Sequence, residues 1–299
     1  MGLVISENFG YLLDPGLRKI FMDEYTLPDS QIDTLYGMEK SSKAVEYDYA
    51  IGGIGDMTEF TGTIPYTDFD GQYRVSYTHR EWVNGMKIER KLVDDDQYSV
   101  INKRPMALAV SAKRTREKHG ASVFNSAFNT SVFAGGDTYA LCASAHSYVG
   151  TATTQSNTGT AALSATSLAT ARLAMRDFVD EKDNLITARG TLLLVPPELE
   201  QIAYEITQSE KKPTTANNDI NFIKSLGYKV VVWDYLTDTN NWFLIDEKYA
   251  KMYLKWFDRI PTEFNKDKDF DTYISKWSVY NRYTYGFSSW TWIYGNAVS

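Results

Sequence analysis

VDDDQYSVINKRPMALAVSAKRTREKHGASVFNSAF, Val93–Phe128, is the stretch on which the fold turns, because it is the longest helical signal and separates two regions of different composition. Asp94, Asp95 and Asp96 place carboxylates where a helix N-terminus favours them, as caps for free N–H groups and against the positive end of the dipole. The helix is therefore expected over residues 94–128. Pro105 lacks an N–H and clashes one turn back, so it either kinks this helix or opens a second one. At 100° per residue Leu108, Ala112, Thr115, His119 and Val123 form one narrow stripe, while Met106, Val110, Ala121, Phe124 and Phe128 oppose it only near the two ends. Between them Lys113, Arg114, Arg116, Glu117 and Lys118 leave little uncharged surface. The expectation is a strut laid across a surface, its charged middle a solvated face.

Upstream, residues 1–43 carry modest helical pieces near Leu17–Met22 and Gln31–Tyr36, broken by Pro15 and Pro28. Ala44–Ile51 (AVEYDYAI) alternates at period two, which predicts a half-exposed strand ended by Gly52, Gly53 and Gly55. Thr58–Tyr66 and Gln72–His79 flank TDFDG, whose Asp and Gly supply turn conformations, so a long hairpin is expected there. Its residues are aromatic and polar on both faces. Such a ribbon is marginal alone in water and should lie on another surface. Gly85–Val93 reads as a strand leading into the helix.

Downstream, residues 129–164 are rich in Ala, Ser, Thr and Gly and read as loop with short strands. Leu168, Ala171, Met175 and Phe178 mark an amphipathic helix that ends at the acidic turn DEKDN. In RGTLLLVPPELEQIAYEI a buried strand passes straight into a helix: Pro197 suits its first turn, and Leu199, Ile202, Ala203 and Ile206 its inner face. SEKKPTTANND is a loop, Ile220–Leu226 a short helix closed by Gly227, and Tyr228–Trp233 a second buried strand. Two core strands joined through helices give a compact α/β unit. Trp242–Phe257 and Tyr273–Tyr294 read as aromatic strands.

Composition bounds the function. A chain of 299 residues with 43% hydrophobic content buries sizeable cores. A net charge of −7 and a pI near 5.1 exclude a general polyanion binder, which needs Lys and Arg in excess. The single cysteine, Cys142, excludes an internal disulfide framework and multi-cysteine zinc sites. Apolar runs such as Thr191–Val195 are too short to cross a bilayer, and MGLVISENFG lacks the pattern of a signal peptide. The chain reads as cytosolic, with no membrane partner. Twenty-one tyrosines favour wet contact surfaces, since each pairs an apolar body with a polar tip.

Candidates for chemistry are few. Cys142, Ser144 and His146 in LCASAH are the one cluster that offers a nucleophile with a base, the basis of an alternative reading as a cytosolic α/β hydrolase. The bland reading is a buried small residue in a polar loop. Three scattered histidines have no metal spacing. Gly52, Gly53 and Gly55 lack the Lys-Ser or Lys-Thr of a phosphate loop. Asp94–Asp96 are caps before they are cation ligands, and Trp290, Trp292 and Tyr294 at period two are core or subunit contact before they are a sugar platform. No catalytic residue, metal or cofactor is assigned.

The order of parts nevertheless resembles a known family. ERKLVDDDQY with RPMALAVSAKRTREKHGASVFNSAF, LCASAHS, LLLVPPELEQIAYEI, GYKVVVWDYLTDTNNWFLID and WTWIYG, in register over residues 89–295, are similar to tailed-bacteriophage major capsid proteins of the Hong Kong 97 fold, most closely the Mu-like head subunits. The resemblance implies a mixed α+β fold: an N-terminal arm (1–43), an extended hairpin loop (44–92), a peripheral domain with the long spine helix (93–134 and 256–299) and an axial α/β domain (135–255). It implies a non-enzymatic major head protein that self-assembles into pentamers and hexamers of an icosahedral shell in the virion. That shell encloses double-stranded DNA without sequence-specific binding and is built in the host bacterial cytoplasm. A separate scaffolding protein is implied, since this chain opens directly on the arm, together with a maturation protease and a portal. The lysine and asparagine that crosslink some shells have no match here. An encapsulin-like compartment around cargo enzymes shares the fold and is the nearer alternative. Within this frame the acidic hairpin residues Asp56, Glu59, Asp68 and Asp70 of one subunit are expected to meet Lys113, Arg114, Arg116 and Lys118 on the next subunit's helix.

Overall fold

The computed structural model describes residues 19–23, 25, 30–51, 53, 56–57, 59–60, 62–64, 66, 71–89, 100–131, 133, 135–151, 153–211, 220–269 and 271–298. The expected caps Asp94–Asp96, residues 67–70 of the TDFDG turn, and Gly52 and Gly55 lie outside them. The chain runs through α1 (Gln31–Leu35), β1 (Gly37–Lys40), β2 (Val45–Ile51), β3 (Gly71–Thr78), β4 (Arg80–Glu89), α2 (Val100–Asn125), β5 (Thr158–Gly159) and α3 (Ala165–Arg176). It continues with β6 (Leu192–Val195), α4 (Glu200–Gln208), α5 (Phe222–Ser225), β7 (Lys229–Val232), β8 (Trp242–Ile245), α6 (Glu247–Tyr253), β9 (Leu254–Lys268), β10 (Ile274–Phe287) and β11 (Ile293–Asn296).

Leu192–Val195 is buried along its whole length, as a four-residue apolar run requires when both faces are covered. It lies between β7, which runs parallel, and β8, which runs antiparallel. The sheet has the order β5-β11-β8-β6-β7. Successive residues point to opposite faces, and the two faces feed two cores. Leu193, Val195, Trp242 and Leu244 meet Leu168, Ala171 and Met175 of α3 and Ala203 and Ile206 of α4. Leu192, Leu194, Phe243 and Ile245 meet Val123 and Phe124 of α2 and Ile32 and Leu35 of α1. The capping box expected of a good N-terminus is present at α3, where Ser164 accepts from Ser167 N–H and the Ser167 hydroxyl reaches back.

The second sheet has the order β1-β9-β10-β4. Its spine is the β9–β10 hairpin, which carries register shifts between Tyr280 and Tyr283, opposite the stretch holding Pro261. Proline has no ladder N–H to give, and a bulge is where a strand tolerates one. Trp256, Tyr283 and Phe287 from this sheet join the core that includes α1, α2 and the five-stranded sheet. β1, from within residues 1–43, pairs in parallel with β9, and β11, from within 256–299, adds to the five-stranded sheet.

Four expectations are corrected. β3 pairs not with a strand over 58–66 but with β2, in register Val45↔Thr78 to Ile51↔Gly71; the described residues between them, such as Phe60 and Ile64, are in no strand. α2 runs continuously through Pro105 and ends at Asn125, followed by turns rather than by helix to Phe128. Ile202 faces outward, and Thr207 takes the inner position beside Ala203 and Ile206. Trp242–Phe257 is not one strand, because Asp246 accepts from the N–H groups of Lys248 and Tyr249 and starts α6 there. No described helix is long and apolar enough to cross a membrane.

Candidate functional site

The middle of α2 is not a bare solvated face. Arg116 donates from Nη1 to Asp258 Oδ1 at 2.8 Å and from Nη2 to Oδ2 at 3.0 Å. Its guanidinium also lies 4.9 Å from the Trp256 ring centre and 5.1 Å from that of Tyr283. Burial is the largest single influence and opposes the charge, but the bonds to Asp258 together with the attraction of Asp258, Tyr25 and Tyr283 outweigh it, and the net effect raises the arginine pKa. Glu117, one residue on, is buried and accepts from Ser30 Oγ at 2.5 Å and from Trp233 Nε1 at 3.1 Å. Burial raises its pKa above the usual carboxylate value, with those two bonds and the Lys113 charge opposing. One turn further, the Tyr36 hydroxyl donates to the Gly120 carbonyl at 2.7 Å. A side chain at Gly120 would come within 2.8 Å of Ile32 and 3.0 Å of Trp233, so glycine is what lets α1 approach. The central turns of α2 thus hold α1 and both sheets together.

Of the eight charged residues expected to meet across subunits, Arg116 is committed inside the chain and the charge of Lys113 acts on Glu117. Arg114 and Lys118 are exposed on α2, and Asp56 and Glu59 are exposed beyond β2. Asp68 and Asp70 lie outside the described residues. The hairpin instead presents apolar surface to solvent: Met57 is 101%, Tyr66 90% and Phe60 70% exposed, with Ile64, Tyr47 and Tyr49 also open. Among the described residues it is anchored at its foot. There Tyr77 is buried against Phe257, their rings 5.3 Å apart, and Gly53 N–H donates to Glu181.

The expected nucleophile cluster does not assemble. Cys142 is buried, and burial pushes its thiol well up, away from thiolate. Ser144 is exposed. The two ring nitrogens of His146 are engaged elsewhere: Nδ1 lies 2.6 Å from Asp137 Oδ2, and Nε2 lies 3.1 Å from Asn157 Oδ1. Trp290 stacks on that imidazole at 4.6 Å, and Trp292 is wholly buried, so the aromatic alternation is core rather than platform. Among the described residues no three His, Cys, Asp or Glu gather as a metal site. Sequence reasoning missed Asp137, Asn157 and Asp258, because nothing near them in the chain announces partners found only in the fold.

A cleft of about 740 Å³ opens between the hairpin foot and the body, lined by Asp48, Asp180, Glu181, Tyr73, Tyr148 and Trp290 among others. No Lys or Arg lines it among the described residues. Its lining is acidic and aromatic with hydroxyls from Ser147, Ser288, Ser289 and Thr291, and among the described residues no histidine or cysteine lines it.

Known proteins bear on this arrangement. The capsid of cyanophage P-SCSP1u superposes with a TM-score of 0.60 at 9% identity, covering 91% of this chain and 88% of that one. The mature capsid of bacteriophage PhiM1 gives 0.60 at 10% identity over 91% and 88%. The procapsid of bacteriophage JBD30 gives 0.56 at 12% identity over 99% and 77%. Such low identities carry the fold alone. No curated protein sequence matches. The family model for phage capsid protein, however, matches residues 72–296, from the start of β3 to the end of β11. The chain therefore belongs to the phage capsid protein family, as a structural subunit of a viral shell and not an enzyme.

Proposed function

We propose that this subunit is the major head protein of a tailed phage on the Mu-like plan, forming pentamers and hexamers of an icosahedral shell around double-stranded DNA. The observation that carries this reading is the hairpin beyond its foot, where Met57, Phe60, Ile64 and Tyr66 find no cover in their own chain. Apolar exposure on this scale marks a protein contact, and a second copy of the chain is the occupant that a shell supplies. In this reading residues 1–43 are the arm, 44–92 the extended loop, 93–134 with 256–299 the peripheral domain and 135–255 the axial domain. A separate scaffolding protein, a maturation protease and a portal act on the assembly in the host cytoplasm. Asp56 and Glu59, with Asp68 and Asp70 beyond them, approach Arg114 and Lys118 of the neighbour, flanked by Lys113.

The test replaces Met57, Phe60, Ile64 and Tyr66 together by serine. The expected outcome is a subunit with its cooperative thermal transition intact that no longer forms shells in negative-stain microscopy. Loss of that transition would place the hairpin in the subunit's own core, and normal shells would remove it from the contact.

A further inference from the structure

The cleft between the hairpin foot and the body carries negative charge at two separate places. The first is on the hairpin. Residues directly opposite in an antiparallel pair share a face, and alternate residues along a strand return to it. Tyr77, packed on Phe257, therefore marks the body-facing side, which also carries Asp48 and its partner Val75. Asp48 is half-buried there and lines the cleft. Arg74 of β3 belongs to the opposite side, its guanidinium 5.2 Å from the centre of the Tyr47 ring. It is no counter-charge for the cleft.

The second place is the turn after α3. Asp180 accepts from the N–H groups of Lys182 and Asn184, each at 2.8 Å, and from Asn184 Nδ2 at 3.1 Å. Glu181 accepts from Gly53 N–H. These donors are neutral amides, so they order the carboxylates without cancelling their charge. Gly53 lies past the end of β2, which sets this turn apart from Asp48 by a distance on the order of 10 Å at the strand rise. Among the described residues no three acids gather as a cage for an inorganic ion.

Much of the remaining lining is aromatic. Tyr249 and Tyr253 of α6 stack with ring centres 6.2 Å apart, and Tyr148 lies 6.3 Å from Trp290. Two of these phenols register the charge around them. Burial is the first cause that raises the Tyr148 pKa, followed by Glu181, Tyr253, Asp180 and Asp137; burial, then Tyr249 and Asp48, raises that of Tyr253. An anion is repelled from such a space, and an apolar guest would strip water from carboxylates and give them no partner. Positive charges spaced along an alkyl chain match it: ammonium groups pair with carboxylates and lie over ring faces, while methylenes cover the rings. The volume of about 740 Å³ is that of a small-molecule site.

We propose that this cleft binds a linear alkyl polyamine, with its ammonium groups on Asp48 at one end and on the Asp180–Glu181 turn at the other, and that the bound polyamine fastens the foot of the β2–β3 hairpin to the body. The two acidic places belong to different parts of the fold, so one ligand that holds both ties those parts together.

Calorimetric titration of the full-length protein with spermidine tests the site, with butylamine and magnesium ion as comparison probes. One spermidine per chain is expected, with butylamine, which has a single ammonium, at least about tenfold weaker. Asp48→Asn should weaken spermidine about tenfold, while Glu198→Gln, an equal loss of charge at an exposed position before α4, should leave it unchanged. Hydrogen exchange reads the fastening: saturating spermidine should slow exchange of β3 about tenfold relative to the buried strand β6. Equal weakening by the two substitutions, displacement of spermidine by an equal concentration of magnesium ion, or butylamine binding as tightly as spermidine would reduce the effect to general attraction of cations and overturn the proposal. Unchanged exchange of β3 with spermidine bound would overturn the fastening. The probes and the exchange in wild-type protein decide the matter even if Asp48→Asn does not fold.

Discussion

The Arg116 guanidinium grips the Asp258 carboxylate through two parallel bonds of 2.8 and 3.0 Å, 142 residues apart in the chain, while lying across Trp256 and Tyr283. This contact ties α2 to β9. Asp258 also accepts from Trp256 Nε1 at 3.1 Å, which fixes the geometry from the sheet side. Arg116→Ala leaves a largely buried carboxylate without its partner and is expected to destabilise the subunit by about 3 kcal/mol. Arg116→Lys keeps the charge but loses the fork and the ring contact, so it should recover only part of that loss. Urea titration of the unassembled subunit measures both.

Glu117 gives a pH dependence of defined sign. Burial raises its pKa in the folded chain, so the folded state binds more protons than the unfolded one above the usual carboxylate value. That contribution is complete at low pH and is lost as pH rises through the raised value. Glu117→Gln should remove this decline, because the amide oxygen still accepts from Trp233 while its NH₂ meets Ser30 Oγ. Glu117→Ala should cost about 1 to 3 kcal/mol at neutral pH by orphaning the buried Trp233 N–H. Thermal unfolding at several pH values separates the two variants.

Gly37 begins β1 where any side chain would meet backbone: an added Cβ falls 2.1 Å from the Lys251 carbonyl oxygen in α6. Gly37→Ala must push β1 from β9 or displace the helix, at a cost of roughly 1 to 3 kcal/mol. Gly71→Ala, with nothing within 4 Å, is the matched control and should be close to neutral by the same thermal measurement.

The charge contact proposed between neighbours rests on exposed residues and should be weak per pair, about 0.2 to 1 kcal/mol, yet repeated throughout a shell. Arg114→Glu with Lys118→Glu is expected to reduce assembly without touching the fold, with partial recovery on Asp56→Lys and Glu59→Lys. Light scattering at about 0.05 M and about 1 M salt should show the same loss by screening. Equal assembly in all of these conditions would leave this face merely solvated. Arg116 has no place in the reversal, since changing it attacks the subunit's own packing.

What the sequence disclosed follows the range of the forces involved. The helix of Leu168, Ala171 and Met175, the passage from Leu192–Val195 through Pro197 into α4, and the long α2 were legible because periodicity and caps act within a few residues. The strand Val45–Ile51 was legible too, but its partner was not: the nearer segment 58–66 competed for β3, and only the fold decides pairing across such a loop. α6 was hidden because its aromatic neighbours Trp242–Ile245 and Leu254–Phe257 set a strand rhythm on both sides. The charged middle of α2 misled for a related reason. A charge run is indistinguishable from a solvated face until Asp258, Ser30 and Trp233 arrive from elsewhere. LCASAH offered the right residue types for catalysis, and the partners of His146 at 137 and 157 turned them into structure.

The core that joins Ile32 and Leu35, Phe124, Leu194 and Phe243, and Trp256 and Tyr283 draws on both sheets at once. There is consequently no seam along which one sheet can slide past the other, and the body is stiff as a single block. A push delivered to the outer strands of either sheet is passed through tryptophan and phenylalanine rings rather than absorbed. The compliance that a closed container needs, where copies meet at unequal angles, is then left to parts of the chain outside that block.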